Sequence, residues 1–308
     1  MELHVPVMTS EILDIVESCI DGDDSTLVDA TLGGGGHSGA ILEKFPNLKI
    51  IGFDQDAYAG ELAASRLSKF LDRIKIVPSN FYEIEEYVGE FCENGEVSCV
   101  FFDLGVSNMQ ISTPERGFSY QSDGPLDMRM NALADIPSAA DIIERSDVHE
   151  LTRIFREYGE ERYASHIANA ITRSRDGKTL PATTGELVSL IRRALPAPVQ
   201  RKMGRHPARK IFQALRIAVN SELEALPKGL DGAYKVTRDG GVIAVISYHS
   251  LEDRIVKRTF QSWGKSGKGD IITRRPKIPS EKERRENRKS RSAKLRAFKI
   301  DKSRKNIE

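Results

Sequence analysis

Cysteine, tryptophan and long apolar runs are scarce in this 308-residue chain, which has three Cys and one Trp. Cys19, Cys92 and Cys99 form no CxxC pair and could close one disulfide at most, which excludes a metal ribbon and a secreted disulfide scaffold. No metal-ligand pattern stands elsewhere, and no metal is expected. No stretch approaches the roughly 18 apolar residues of a helical membrane span. Residues 1–6 lack the basic and apolar regions of a secretory signal, so the expected location is the cytoplasm. An excess of one charge is missing too, the formal net charge being +1.

That neutrality conceals a segregation. Residues 251–308 carry 20 basic and 8 acidic side chains, whereas residues 1–250 carry 26 basic and 37 acidic ones. A second basic segment, 192–216, has eight Lys or Arg and no acid. A solvated tail would account for the first segment alone. Two separate basic segments point to a polyanionic partner met by one surface.

The length suits roughly two domains. Residues 8–19 have helical periodicity, and the first third then alternates strand and helix signals. Strands are expected at 26–31, 49–54, 74–77 and 97–103, with helices at 38–45, 58–71 and 83–92. Strands that are apolar throughout, separated by helices, are the pattern of a buried parallel sheet. Residues 111–136 are irregular and too long for an ordinary connection, which predicts a functional loop. Residues 138–195 read as helices at 138–145, 147–158, 160–175 and 183–194. The α/β pattern resumes with one long helix at 208–225, a strand at 241–247, a helix at 250–262 and strands at 270–275 and 294–300. The charged stretch 280–292 is expected to order only against a partner. The expected organisation is a sheet domain in two parts, 1–110 and 208–308, interrupted by a loop and helical domain at 111–207.

The chemistry concentrates where a strand meets a glycine run. Gly34, Gly36 and Gly39 satisfy G-x-G-x-x-G, a spacing that lets backbone approach a ligand and aims helix N–H groups at it. Asp54, at the end of the second strand, is placed to accept from ribose hydroxyls. Asp29 precedes the glycine run and Asp103 ends the fourth strand, so three carboxylates meet at the strand ends. They would repel a pyrophosphate and suit a cation with a ribose. An NAD-dependent oxidoreductase and a non-catalytic RNA-binding protein stay open at this point. The former leaves the basic segments without a purpose, the latter the carboxylates.

Longer motifs surround these residues: Val28-Asp29-Ala30-Thr31-Leu32-Gly33-Gly34-Gly35-Gly36-His37-Ser38, Asp103-Leu104-Gly105-Val106-Ser107, Arg116-Gly117-Phe118-Ser119 and Gly124-Pro125-Leu126-Asp127-Met128-Arg129-Met130. Further on stand Tyr158-Gly159-Glu160-Glu161-Arg162, Phe212-Gln213-Ala214-Leu215-Arg216-Ile217, Val219-Asn220-Ser221-Glu222-Leu223, Ser247-Tyr248-His249-Ser250-Leu251-Glu252-Asp253-Arg254 and Arg291-Ser292-Ala293-Lys294-Leu295-Arg296. Together they resemble the bacterial MraW family of 16S rRNA (cytosine-N4)-methyltransferases, over essentially the whole chain. The resemblance implies a class I, Rossmann-like α/β fold with a seven-stranded sheet and an inserted helical substrate-recognition domain. It implies S-adenosylmethionine as cofactor, the small ribosomal subunit as partner and a decoding-centre cytidine as acceptor.

It also implies cofactor contacts at Gly35, Gly36, His37, Asp54, Phe81, Asp103 and Gln110. The backbone N–H groups of 35–37 would face the methionyl carboxylate, Phe81 would pack on the adenine, and Asp103 with Gln110 would face the sulfonium end. Asp103, Ser107 and Asn108 are the candidates beside the reacting amine. Asn108-Met109 and Tyr248 depart from the family pattern, where Ser-Pro and Phe are expected. Arg201, Lys202, Arg205 and Arg209 are the candidate RNA contacts. His249 is ambiguous between packing and substrate contact; Trp263 reads as a helix anchor rather than a base-stacking ring, and Cys99 as core.

Overall fold

The computed structural model describes residues 6–20, 25–92, 94–202 and 206–306. The chain divides into two compact units, Met1–Gly105 with Leu223–Glu308, and Val106–Glu222. The first unit contains α1 (Thr9–Glu17), β1 (Thr26–Asp29), α2 (Gly36–Lys44), β2 (Lys49–Phe53), α3 (Ala57–Arg66), β3 (Ile74–Val77), α4 (Ile84–Phe91) and β4 (Val97–Asp103). In the second unit follow α5 (Asn108–Ser112), α6 (Ala139–Arg145), α7 (Val148–Glu157), α8 (Ala164–Asp176), α9 (Thr184–Ala194), α10 (Ala197–Lys202) and α11 (Arg209–Asn220). The first unit resumes with α12 (Glu222–Val236, whose first residue closes the second unit), β5 (Thr237–Ser247), α13 (Ser250–Lys265), β6 (Gly269–Ile271), α14 (Glu281–Glu286) and β7 (Lys294–Ile300).

The strands form one seven-stranded sheet in the order β3-β2-β1-β4-β5-β7-β6. The pairs from β3 to β5 are parallel, and β7 runs antiparallel to both β5 and β6. This is the α/β, seven-stranded fold the resemblance implied. Side chains alternate between two cores because successive strand residues face opposite ways. Leu27, Ile50, Cys99, Phe101, Val242 and Ala244 enter one core, whereas Val28, Ile51, Val100, Phe102, Ile243 and Val245 enter the other. Being buried on both faces, the central strands read as continuous apolar runs.

Three expectations need correction here. The stretch 208–225 is not one helix: Ser221 takes a left-handed φ of 48° and separates α11 from α12. α12 itself was not expected, because Pro227, Gly229 and Gly232 interrupt its propensity. Gly229 is required there, since a Cβ would collide with the Phe81 ring. Residues 280–292 also order without a partner. Ser280 caps α14, Glu283 accepts the Met8 N–H at 2.8 Å, and Ser290 is fully buried in a 3-10 turn. The strand expected at 270–275 shrinks to three residues, ending before Pro276.

In the second unit, α6, α7, α8, α9 and α11 enclose a core that includes Leu151, Phe155, Ile167, Leu187 and Leu215. α11 belongs to it through Ile211, Phe212 and Ala214, which is why the unit boundaries fall at Gly105 and Glu222 rather than at 110 and 207. The irregular stretch is held from within. Phe118, Leu126 and Met128 enter the helical core, and Arg116 donates to the carbonyls of Arg129 and Met130 at 3.0 and 2.7 Å. Asn220 accepts the Met130 N–H at 2.7 Å and donates to the Met128 carbonyl at 2.8 Å. Much of the RGFS and GPLDMRM signal is therefore architectural. Among the described residues no helix is long and apolar enough to cross a membrane.

Candidate active site

The strand order reverses between β1 and β4, β2 and β3 lying beyond one and β5 beyond the other. In open α/β sheets the ligand crevice lies past the carboxyl ends of the strands at that point. Asp29 is the last residue of β1, Asp103 the last of β4, and Asp54 directly follows β2. The fold thus puts the three carboxylates at neighbouring strand ends.

The glycine loop is built around two of them. The Gly33 N–H donates to Asp54 Oδ2 at 2.8 Å and the Asp56 N–H to Oδ1 at 2.8 Å, so Asp54 ties the loop to the start of α3. Gly35, at φ 72°, turns the chain into α2, and a Cβ there would stand 2.8 Å from Leu67 Cδ1. This turn corrects one expectation, because the Gly35 N–H closes it by donating to the Leu32 carbonyl at 2.8 Å. The N–H groups of Gly36 and His37 open the first turn of α2, where N–H groups have no intrahelical partner and can meet an anion.

Asp29 is almost fully buried, accepting from Ser38 Oγ at 2.6 Å and from the Thr31 N–H at 3.1 Å. Burial raises its pKa to about 6, against the opposing pull of the Ser38 hydroxyl. The folded protein therefore keeps a proton that the unfolded chain has lost near pH 4. The stability this contributes below that pH disappears as the pH rises through about 6, a change of about 3 kcal/mol. Asp29→Asn should remove it. The variant's stability relative to wild type, from urea unfolding, is expected to rise by up to about 3 kcal/mol between pH 4 and pH 7. A flat difference across that range would show that Asp29 ionises as readily folded as unfolded.

Asp103 is held by two hydrogen bonds and faces the His37 ring. Its backbone N–H donates to Thr31 Oγ1 at 2.6 Å, and its Oδ1 accepts from the Tyr248 hydroxyl at 2.6 Å. Its Oδ2 lies 3.7 Å from His37 Nδ1. The other ring nitrogen, Nε2, bonds the Val7 carbonyl at 2.9 Å and so carries a hydrogen, because a carbonyl only accepts. His37, expected to serve through its backbone, thus also ties the start of α2 to residue 7. Thr31 and Tyr248 are the contributors that sequence reasoning missed. Tyr248 stood out only as a departure from a pattern.

Phe81 is half-buried, its ring edge-on to Phe102 at 5.5 Å. Ser107, Asn108 and Gln110 belong to the second unit, at the start of α5. There Ser107 and Gln110 form a reciprocal capping box, Ser107 Oγ accepting the Gln110 N–H at 3.1 Å and Gln110 Oε1 the Ser107 N–H at 3.0 Å. Asn108 is partly exposed in the first position of the helix. His249 is the N-cap of α13, its Nδ1 accepting from the Glu252 N–H at 3.4 Å. Trp263 packs among Tyr234, Phe260 and Phe298, and Cys99 is fully buried.

Of the candidate RNA contacts, Arg201 is exposed on α10, and Arg209 is partly exposed at the start of α11. Lys202 closes α10, and Arg205 lies outside the described residues. Arg216 leaves the basic group, because Glu222 holds it with two bonds of 2.7 and 2.8 Å.

The donor set decides the ligand type. Hydroxyls and backbone N–H groups hold the three strand-end carboxylates, and the His37 ring lies 3.7 Å from Asp103. Such a set fits S-adenosylmethionine, whose ribose and sulfonium suit carboxylates and whose own carboxylate suits the α2 N-terminus. It does not fit a pyrophosphate.

The chain is 44% identical over 310 residues to a ribosomal RNA small subunit methyltransferase H of Symbiobacterium thermophilum, covering 96% of this chain and 95% of that protein. A protein of the same name from Carboxydothermus hydrogenoformans is 45% identical over 309 residues, covering 96% of each. The model of the MraW methylase family matches residues 1–301, and the chain belongs to that family.

Proposed function

We propose that the protein methylates the exocyclic N4 of a decoding-centre cytidine in 16S rRNA, with S-adenosylmethionine as donor. The observation that carries the reading is Asp103: a residue at the β4 end whose carboxylate receives the Tyr248 hydroxyl and whose backbone N–H is tied to Thr31, with no thiol beside it. Attack through C5 of cytosine would need a nucleophilic cysteine, and Cys99 is buried four residues back in the core. An amine needs only an acceptor for its N–H.

When bound, S-adenosylmethionine supplies an electrophilic methyl group for direct transfer. Asp54 holds the ribose, the N–H groups of Gly36 and His37 the methionyl carboxylate, and Phe81 the adenine. Asp103 would accept an N–H from the cytosine amine, turn its lone pair, otherwise delocalised into the ring, toward the methyl group, and take up the proton the amine loses as the N–CH3 bond forms and the S–CH3 bond breaks to leave the thioether. Ser107 and Asn108, four and five residues along the chain, serve the acceptor side, and Gln110 supports them through its cap. Orientation is the main catalytic contribution, worth about 7–11 kcal/mol in well-positioned systems.

Nucleoside mass mapping of 16S rRNA from cells with and without the protein tests this reading. N4-methylcytidine should disappear from one position, while loss of a C5 or ribose methyl group would overturn it. Unchanged methylation with altered subunit assembly would instead favour a non-catalytic RNA-binding role.

The basic segment 192–216 is proposed as the RNA-phosphate surface, through Arg201, Lys202, Arg205 and Arg209. Each neutralised phosphate contributes about 0.7 to the slope of log affinity against log salt for single strands. Replacing all four by Ala should weaken RNA binding and flatten that slope by up to about 3, with cofactor affinity unchanged. A wild-type slope in the quadruple variant would reduce the segment to a solvated face.

A further inference from the structure

A carboxylate at a strand end turns about its last side-chain bond unless a hydrogen bond holds one of its oxygens. In Asp103, Oδ1 receives the Tyr248 hydroxyl at 2.6 Å, while Oδ2 stands 3.7 Å from the His37 ring. Of the two, only Tyr248 is within hydrogen-bond distance, and a charge-assisted O–H···O bond of this length is about twice as strong as a neutral one.

Tyr248 is itself immobilised. Its backbone N–H donates to Glu252 Oε2 at 2.8 Å, inside the capping box that starts α13. Its ring packs beside the first-unit core and lies 3.4 Å from where a Cβ on Gly105 would stand. Gly105 has a φ of 93°, so backbone rather than a side chain covers the ring there. The hydroxyl therefore reaches Asp103 with little rotamer freedom left to lose. Burial, reinforced by the Asp103 charge, pushes the phenol well above its ordinary pKa. At neutral pH it therefore stays protonated and donates to Asp103.

We infer that Tyr248, standing where the family pattern has Phe, is a positioning residue particular to this chain, holding the Asp103 carboxylate in the orientation that accepts the amine N–H. The inference rests on the acceptor role proposed for Asp103. It predicts a split between turnover and binding, because the hydroxyl's partner in the structure is the Asp103 carboxylate.

Tyr248→Phe keeps the ring and removes the oxygen. With labelled S-adenosylmethionine and undermethylated small ribosomal subunits, kcat should fall about 10- to 100-fold, the range for a small misplacement of a reacting group. KM for both ligands should stay within about twofold, and the thermal midpoint should match wild type. In single-turnover rates, the substitution should cost nothing further in an Asp103→Ala background, as expected when one residue acts through the other. Wild-type kcat in the Phe variant, or an equal loss in the Ala background, would overturn the inference while leaving the Asp103 reading intact. A wild-type rate in Asp103→Ala alone would instead overturn that reading. Should the Phe variant melt early, the single-turnover comparison with the Asp103→Ala background is made at a temperature where both stay folded, and an equal loss in the two backgrounds overturns the inference.

Discussion

Asp54→Ala should abolish measurable S-adenosylmethionine binding while the protein stays folded. Two charge-assisted bonds to ribose hydroxyls, each worth about 1.5–3 kcal/mol, account for about 10²- to 10⁴-fold in affinity. The loss extends beyond the ribose. Asp54 also accepts the N–H groups of Gly33 and Asp56, so its removal releases the glycine loop at one end. Asp54→Asn keeps one acceptor oxygen and should sit between the two. Isothermal titration, with circular dichroism to confirm folding, measures all three. Unchanged affinity in the Ala variant would remove Asp54 from the site.

Asp103→Ala is expected to lower turnover about 10²- to 10⁴-fold at saturating cofactor, the range for a positioned group that handles a proton of the substrate. Asp103→Asn should recover part of this. Its amide oxygen can still receive the Tyr248 hydroxyl, although the other arm then offers a donor where the amine needs an acceptor. Turnover is best read as initial methyl incorporation into small subunits. Full activity in the Ala variant would place the acceptor contact elsewhere.

The parts of this protein that local pattern encodes could be read before the structure. β1 to β4 are apolar runs set off by glycine and charge, and the strand-end carboxylates follow from them. What escaped depends on residues distant in the chain. The Tyr248–Asp103 bond spans 145 positions, and no periodicity signals it. Glu222 neutralises Arg216 although the basic segment contains no acid of its own. α12 was hidden because Pro227 and two glycines lower its propensity, while burial of Leu226, Leu230 and Ala233 outweighs that loss. The charged stretch 280–292 looked disordered because composition does not show that Glu283 will find the Met8 N–H.

The insertion of the second unit between β4 and β5 bears on how the protein is made. β4 leaves the ribosome with β1 available on one side, but its other neighbour lies beyond the 133 residues from Leu104 to Val236. At about 5–20 residues per second, that is on the order of ten seconds of synthesis. Throughout it, an apolar strand presents an unpaired edge to solvent, a template for pairing with other nascent chains. The helical unit, complete by Glu222, emerges within that interval and can fold on local contacts before β5 arrives. Early collapse of that unit draws Gly105 and Leu223 together and shortens the loop that the β4–β5 pairing must close. Ribosome profiling with chaperone capture should therefore find occupancy rising after β4 is exposed and falling once β5 emerges.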